Sequence, residues 1–403
     1  MESLTNLYRI GHGPSSSHSI GPESAARQFR DTFPNAERYA VTLYGSLAKT
    51  GKGHVTDRAI TDVLGESCTL AFDTETADLP HPNTMDLYAI RDGETIGHWR
   101  AISVGGGEIR VLNAKLPAPP SIYKQNSFAA IRDWCGKYTA RLSDYVFYHE
   151  NGDFKEYLLR VWETMQAAIE RGLKETGVLP GGLGVERKAR ILYEGSSYGE
   201  REDIRANRLV CAYAFAASEE NAAGGCVVTA PTCGACGVLP AVLLYHQRVY
   251  DFRREDILRA LAAAGVIGNL IKTNASISGA ECGCQAEIGT ACSMAAAALG
   301  ELFRMDIDQI EYAAEVAMEH HLGLTCDPVA GLVQIPCIER NAVAAMRAIN
   351  AVSLANFLSK SRKISFDAVV RTMYETGRDL FSKYRETSEG GLAKFHGIDL
   401  SGV

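Results

Sequence analysis

The sequence predicts an α+β N-terminal domain over residues 1–145 followed by an all-α domain over residues 146–403. Three observations carry this. Before residue 112 the apolar residues come in short β-branched and aromatic runs closed by glycines. After residue 153 they come at helical spacing in Ala- and Leu-rich stretches. Between the two, residues 113–127 hold Pro117, Pro119 and Pro120 with little periodic apolar content, and a second loop surrounds Glu150–Gly152.

In chain order, Pro22–Phe33 has helical spacing with a proline near its start. Tyr39–Tyr44 is a strand that stops at Gly45, and Val55–Leu64 is a helix. Thr69–Phe72 and Thr95–Val104 are further strands, the second closed by Gly105, Gly106 and Gly107. Asp153 is placed to cap a helix whose apolar face is Leu158, Val161, Trp162, Met165 and Ile169. Glu255–Asn269, Thr290–Phe303, Ile307–His321 and Asn341–Ser359 predict helices rich in Ala or Leu, both strong helix formers. Gly- and Pro-rich segments at 177–184, 224–240, 274–286 and 322–337 interrupt them. Irregular backbone inside a helical domain is where binding groups gather.

Composition narrows the function. The chain has 403 residues, 46% hydrophobic and 22% charged, which suits a folded, core-forming protein. A net charge of −7 lacks the basic footprint of a nucleic-acid binder and is repelled by anionic membranes. No window reaches about 18 uncharged apolar residues, so no spanning helix is expected. Met1–Arg9 carries Glu2 and no apolar run, unlike a signal peptide, which points to the cytosol. A cytosolic chain has no need for disulfides, yet there are eleven cysteines, nine of them after residue 200. They are either small core residues or metal ligands.

Five segments hold the candidate chemistry. Gly11–Pro22 (GHGPSSSHSIGP) presents hydroxyls and backbone N–H groups on a tight loop suited to a small carboxylate. Gly51–Asp57 (GKGHVTD) puts His54 on a glycine-flanked turn, as a general base or as a helix cap. Thr229–Pro240 contains Cys233-x-x-Cys236, a weak signal for redox or zinc use without a second pair. Thr273–Ala286 sets Asn274, Ser276 and Ser278 in a polar loop before Cys282 and Cys284. Glu319–Asn341 contains His320, His321, Cys326, Cys337 and Arg340; the two histidines end a helix, where a cationic ring suits the dipole. Cys284, Cys326 and Cys337 lie on irregular backbone and are able to converge on one iron–sulfur cluster, although their spacing matches no short ferredoxin-type run.

Together these segments resemble the iron–sulfur-dependent L-serine dehydratases (L-serine ammonia-lyases). The likeness runs through GPSSSHSIGP, LYGSLAKTGKGHVTD, AIERG, GVLPGGL, ENAAGG, TAPTCGACGVLPAVL, NASISGAECGCQAEIGTACSMAAAA, EHHLGLTCDPVAGLVQIPCIERNA and KYRETSEGGLA. Ser19 and Cys233 stand where the family has Thr and Asn. The resemblance implies an N-terminal domain similar to the allosteric substrate-binding domain of phosphoglycerate dehydrogenases. It implies a 4Fe–4S cluster held by Cys284, Cys326 and Cys337, and it selects Cys284 over Cys282. It implies L-serine as substrate, a role in serine catabolism and gluconeogenesis, and a homodimer without nucleic-acid or membrane partners. The cluster is expected to act as a Lewis acid, with His54 as base and His18 as second choice. Ser15, Ser16, Ser17, Asn274, Ser276 and Ser278 are expected to hold substrate, with Arg340 on its carboxylate or beside the cluster. Some members close the fourth iron with a C-terminal cysteine; here no cysteine follows Cys337, so no tail thiolate is expected there. Rival readings are a pyridoxal phosphate enzyme built on Lys272, an iron or oxygen sensor, and a structural zinc protein.

Overall fold

The computed structural model describes residues 1–115, 119–195 and 199–395. The strands are β1 (Ile10–His12), β2 (Arg38–Tyr44), β3 (Thr69–Asp73), β4 (Thr84–Arg91), β5 (Glu94–Gly105), β6 (Glu108–Val111) and β7 (Cys226–Val228). The helices of the first third are α1 (Gly21–Thr32), α2 (Gly45–Thr50) and α3 (Thr56–Leu64). Then follow α4 (Phe128–Tyr138), α5 (Leu142–His149), α6 (Phe154–Lys174), α7 (Ala189–Glu194), α8 (Glu202–Ala222), α9 (Val238–Tyr250) and α10 (Arg254–Asn274). The last are α11 (Gly279–Cys282), α12 (Thr290–Leu302), α13 (Ile307–Glu319), α14 (Cys337–Leu358) and α15 (Phe366–Asp379).

Strands β2 to β6 form one sheet in the order β3-β2-β4-β5-β6. Only β2 and β3 are parallel, joined by the α2–α3 crossover that a parallel pair requires. Alternate residues Val41, Leu43, Met85, Leu87, Trp99 and Ala101 face Ala25, Phe29 and Ile60 of α1 and α3, forming a small core of their own. The opposite face buries Asp86, held by Arg100 in two hydrogen bonds (2.8 and 2.6 Å) and by Tyr44 Oη (3.0 Å).

The helical region has a separate, larger core. Helix α12 is buried at every residue from Thr290 to Leu302 and runs between α10, α13 and α14. Its Ala-rich sequence lets those backbones come close. Gly172 of α6 has the same purpose: a Cβ there would stand 2.1 Å from the Ala216 carbonyl of α8. Met1, Leu4, Leu7 and Tyr8 belong to this core, and so do Phe128, Ile131, Leu142 and Val146 of α4 and α5. Residues 121–145, grouped by sequence with the first domain, thus pack with the helices. The helical region also holds one short strand, β7, which pairs antiparallel with β1 and so stitches the chain's beginning to it.

Helix α14 with its continuation to Ser361 reaches a mean hydropathy of 1.3 over eighteen residues, enough by length and composition to cross a membrane. It carries Glu339, Arg340 and Arg347, and its buried face (Ala344, Ala345, Ala348, Ala351) lies in the helical core. Such a helix is a wall of a folded core.

Candidate active site

The Gly11–Pro22 loop leaves β1, turns at Pro14 and enters α1 through a wide helical turn, Ser16–Ile20. Asn221 of α8 donates to the Pro14 carbonyl (2.7 Å), and a Cβ on Gly13 would stand 2.2 Å from the Asn221 side chain, so only glycine fits. Ser15, Ser16, Ser17 and His18 are all buried. His18 Nδ1 lies 2.9 Å from Ser17 Oγ and 3.4 Å from Ser15 Oγ, and its Nε2 lies 3.1 Å from Ser46 Oγ. Ser46 Oγ donates to the Glu386 carbonyl (2.9 Å), so it accepts from His18 Nε2–H, and Nδ1 is left to accept from Ser17. That network assigns the proton of neutral His18 to Nε2. Burial, with His54 adding to it, pushes His18 well below the usual imidazole range.

His54 sits in the turn between α2 and α3, where Val55 has φ +52°. It is fully buried, its ring centroid is 4.4 Å from that of His18, and neither ring nitrogen has a hydrogen-bond partner. Burial pushes it down to about 3, so it is neutral with a free lone pair at ordinary pH. Glu386, from the segment after α15, completes the group. Nitrogen atoms of His18 and His54 and an oxygen of Glu386 all lie within 4.8 Å of one another. Burial holds the Glu386 carboxyl well above the usual range, with Glu287 adding to it.

The cysteines converge from three segments. Cys284 follows Gly283, whose φ of +73° and closeness to the Leu324 carbonyl require glycine. Cys326 lies in the 322–336 loop, its N–H donating to Tyr384 O (2.8 Å) while Glu386 N–H donates to its carbonyl (2.7 Å). Cys337 opens α14. The Cys284 and Cys326 sulfurs and a Glu287 oxygen lie within 4.8 Å of one another. The hydrogen bond from Cys326 holds Cys284 below the usual thiol range, aided by the Arg340 charge and opposed by burial. The same bond keeps the Cys326 proton in place, and burial raises Cys337 and Glu287. Arg340 donates to Thr325 O (2.6 Å) and to Asp327 Oδ1 (3.0 Å), which fixes its charge beside the thiols. A Cβ on Gly279 would stand 2.7 Å from Glu287 Oε2 and 3.0 Å from Cys326 Sγ, so that side of the cradle is kept clear by glycine. Three free thiols, a nearby carboxyl and one fixed guanidinium form a donor set suited to an iron–sulfur cluster.

The remaining sequence candidates divide. Ser278 is buried beside Gly105 of β5, its hydroxyl unpartnered. Ser276 Oγ is taken up by Glu281 and by Ser278 N–H (3.0 Å). Asn274 is not brought into the group: it is exposed at the end of α10 and donates to Asn126 O (2.8 Å) and Leu270 O (2.9 Å). His321 is buried, its Nδ1 2.7 Å from Ala317 O, and burial pushes it down to about 4, so it is not the dipole-stabilised cation expected at the helix end. Lys272 is tied to Glu108 (2.6 Å) and Glu2 (3.3 Å), which leaves no free amine for a Schiff base. Cys236 donates to Ala217 O (3.7 Å) and is pushed up to about 12 by burial, unlike a reactive C-x-x-C thiol. Residues 396–403, the end of the cysteine-free tail, lie outside the described residues.

Sequence reasoning missed Ser46, Glu287 and Glu386. Each stands inside a quoted family segment (LYGSL, QAEIG, RETSEGG), but none carries a local signal of chemistry.

A family model described as the serine dehydratase beta chain matches residues 3–67, and one described as the serine dehydratase alpha chain matches residues 66–393. The two meet just before β3, inside the five-stranded sheet. The chain is 42% identical to L-serine dehydratase 1 of Escherichia coli (strain K12), across 98% of this chain and 99% of the relative. It is 41% identical to an L-serine dehydratase of Haemophilus influenzae (98% and 99%) and 41% identical to one of Streptomyces coelicolor (97% and 98%).

Proposed function

The chain belongs to the serine dehydratase family, and from that premise we propose that it is an L-serine ammonia-lyase, converting L-serine to pyruvate and ammonia. The observation that carries the reading is the presence of two grouped clusters, His18 and His54 with Glu386, and Cys284 and Cys326 with Glu287, with Cys337 near enough to feel the charge of Cys284 and Glu386. The α-hydrogen of serine is a weak acid and hydroxide is a poor leaving group, so the reaction needs a base at Cα and help at Oγ.

We read Cys284, Cys326 and Cys337 as ligands of a 4Fe–4S cluster. The grouping of Cys284 and Cys326, the free thiols of all three and the Gly279 cradle support this. When bound, a cluster with one iron not held by thiolate supplies Lewis-acid help to the departing hydroxyl. Arg340 steadies the thiolates through its charge rather than reaching for substrate, because both its ends are already engaged.

His54 takes the α-proton: its two unpartnered nitrogens face no competing donor. His18 is second to it, because its Nε2 proton is committed to Ser46 and its Nδ1 to the Ser15–Ser17 hydroxyls. The turn Ser15–Ser16–Ser17 and the free Ser278 hydroxyl hold the substrate carboxylate. Asn274 and Ser276 are left to structural work. Loss of the α-proton and the β-hydroxide gives aminoacrylate, which tautomerises to the imine and is hydrolysed to pyruvate and ammonia.

The reading carries with it a place in serine catabolism and gluconeogenesis, a cytosolic setting and a homodimer, the last checked by sedimentation. Its main test is anaerobic purification followed by an absorption spectrum and a pyruvate assay with L-serine, before and after air. A brown protein that forms pyruvate and loses it on exposure is expected. A cluster spectrum without pyruvate would instead favour a sensor.

A further inference from the structure

We propose that Glu386 receives the α-ammonium group of the substrate, an inference that rests on the lyase reading above and names the group that distinguishes an amino acid from other β-hydroxy acids. Glu386 is 5% exposed, yet Oε2 of its carboxyl is buried with no hydrogen-bond partner. Its other oxygen, Oε1, lies 3.6 Å from His18 Nδ1, a nitrogen already served by Ser17. Buried polar atoms are nearly always paired, and an unpaired buried carboxyl oxygen asks for a donor. Among the described residues no Lys or Arg pairs with Glu386: Arg340 pairs with Asp327 (3.0 Å), Lys49 with Glu389 (2.5 Å), and Arg385, although its Nε is buried without a partner, gives Nη1 to the Glu281 carbonyl (3.2 Å). An ammonium arriving with the substrate fills that gap with N–H donors and brings the positive charge that favours the ionised form of a buried carboxyl.

The backbone supports a purposeful placement. Glu386 has φ +58°, a left-handed conformation that non-glycine residues adopt only at a cost. It is held there by Glu386 N–H donating to Cys326 O, by Cys326 N–H donating to Tyr384 O, and by Ser46 Oγ donating to Glu386 O. Strain maintained by surrounding bonds is characteristic of functional sites. The position also fits the chemistry. The ammonium and the abstracted hydrogen are both borne by Cα, so the group that holds one must stand beside the base that takes the other. Donor atoms of Glu386 and His54 lie within 4.8 Å of each other. A carboxylate on the ammonium therefore orients Cα–H toward His54.

The test compares a ligand with the ammonium and one without it. In Glu386→Gln, purified with its iron, the KM for L-serine is expected to rise about 10- to 100-fold, the size of a lost charge-assisted hydrogen bond. Inhibition by 3-hydroxypropanoate, which keeps the carboxylate and β-hydroxyl but has no amine, is expected to change less than threefold. Parallel weakening of both ligands would overturn the proposal. So would a divalent metal beyond the cluster iron, present in wild type and lost in the variant, because the group would then be a metal site. A second measurement needs no variant: on the wild-type enzyme L-alanine should inhibit at least tenfold better than propanoate, and equal inhibition refutes the ammonium site. A wild-type enzyme that forms no pyruvate from L-serine would fail the lyase reading itself, and this inference with it.

Discussion

In the proposed reaction His54 is the residue on which the chemistry turns, and its isolation is what makes it informative. With no partner on either nitrogen and burial holding it down to about 3, it is unprotonated throughout the physiological range. Replacing it with alanine should lower kcat about 100- to 10,000-fold, the usual contribution of a general base. The pH profile follows from the sign of the shift. Protonation removes the base, and with its pKa depressed this happens only in strong acid. The kcat/KM profile, which reports the free enzyme, should therefore carry no limb from His54 between pH 8 and about 5.5; any fall there belongs to the raised Glu386 carboxyl and should be absent in Glu386→Gln. An acid limb near pH 6.5 that persists in Glu386→Gln would assign the base elsewhere. A second residue-scale question is which member of the GAECGCQ pair would hold iron in the proposed cluster. Cys282 is packed against Gly377 and pushed up to about 12 by burial, whereas Cys284 lies with Cys326 and Glu287. Cys284→Ser should purify with much of its iron and sulfide missing, and Cys282→Ser should keep both, by metal and sulfide analysis of anaerobic protein.

At the scale of elements, local sequence signals were good guides where one face was uniformly apolar. Strands β2, β3 and β5 and helices α1, α3, α6, α10, α12, α13 and α14 were legible because glycines or caps bounded clear patterns. Strand β4 was not, although Met85, Leu87 and Ala89 alternate correctly. Its other face carries Asp86, a residue disfavoured in strands and satisfied there by Arg100 and Tyr44 on β5 and β2, with His98 of β5 also beside it. Helix α4 (FAAIRDWCGKY) mixes Trp, Cys, Gly and Tyr and gains its stability from packing rather than propensity. Helix α13 makes a separate prediction. Glu315 is buried among Glu319 and Glu311 and is raised to about 8, burial first and the neighbouring acids next. Its folded pKa exceeds the unfolded value near 4.5, so the unfolded chain holds fewer protons between the two, and stability from this group falls as pH rises through that window. Gln mimics the protonated form. Glu315→Gln should therefore raise the urea midpoint relative to wild type increasingly from pH 5 to pH 8; a gain that is equal at both would rule out the titration.

On the scale of the whole molecule, the candidate site exists only where the two bodies meet. The histidines and the serine turn come from the sheet-bearing part, and the cysteines, Glu287, Ser278 and Glu386 from the helical part. This is why Glu386 was invisible in sequence: it lies more than 300 positions from His54, and nothing within RETSEGG announces a partner so distant. The three cysteines of the proposed cluster stand out in sequence by their irregular backbone, and family likeness selects Cys284 over Cys282, since their spacing follows from the loops between helices rather than from a ligand motif. The junction itself is tight. Gly53, next to His54, faces the carbonyls of Ala330 and Gly331, where a Cβ would stand 3.2 and 3.1 Å from them, and Gly331 in turn abuts Thr50. Larger side chains at Gly53 must push the His54 turn away from the helical body. Misplacing a catalytic group by about 1 Å costs on the order of 100-fold, so Gly53→Val should lower kcat/KM by that order. The cysteines of the proposed cluster all belong to the helical body, so under that reading the same variant should retain its iron and its cluster absorption. If activity and iron instead fell together, the division of labour between a proton-handling body and a metal-holding body would be wrong.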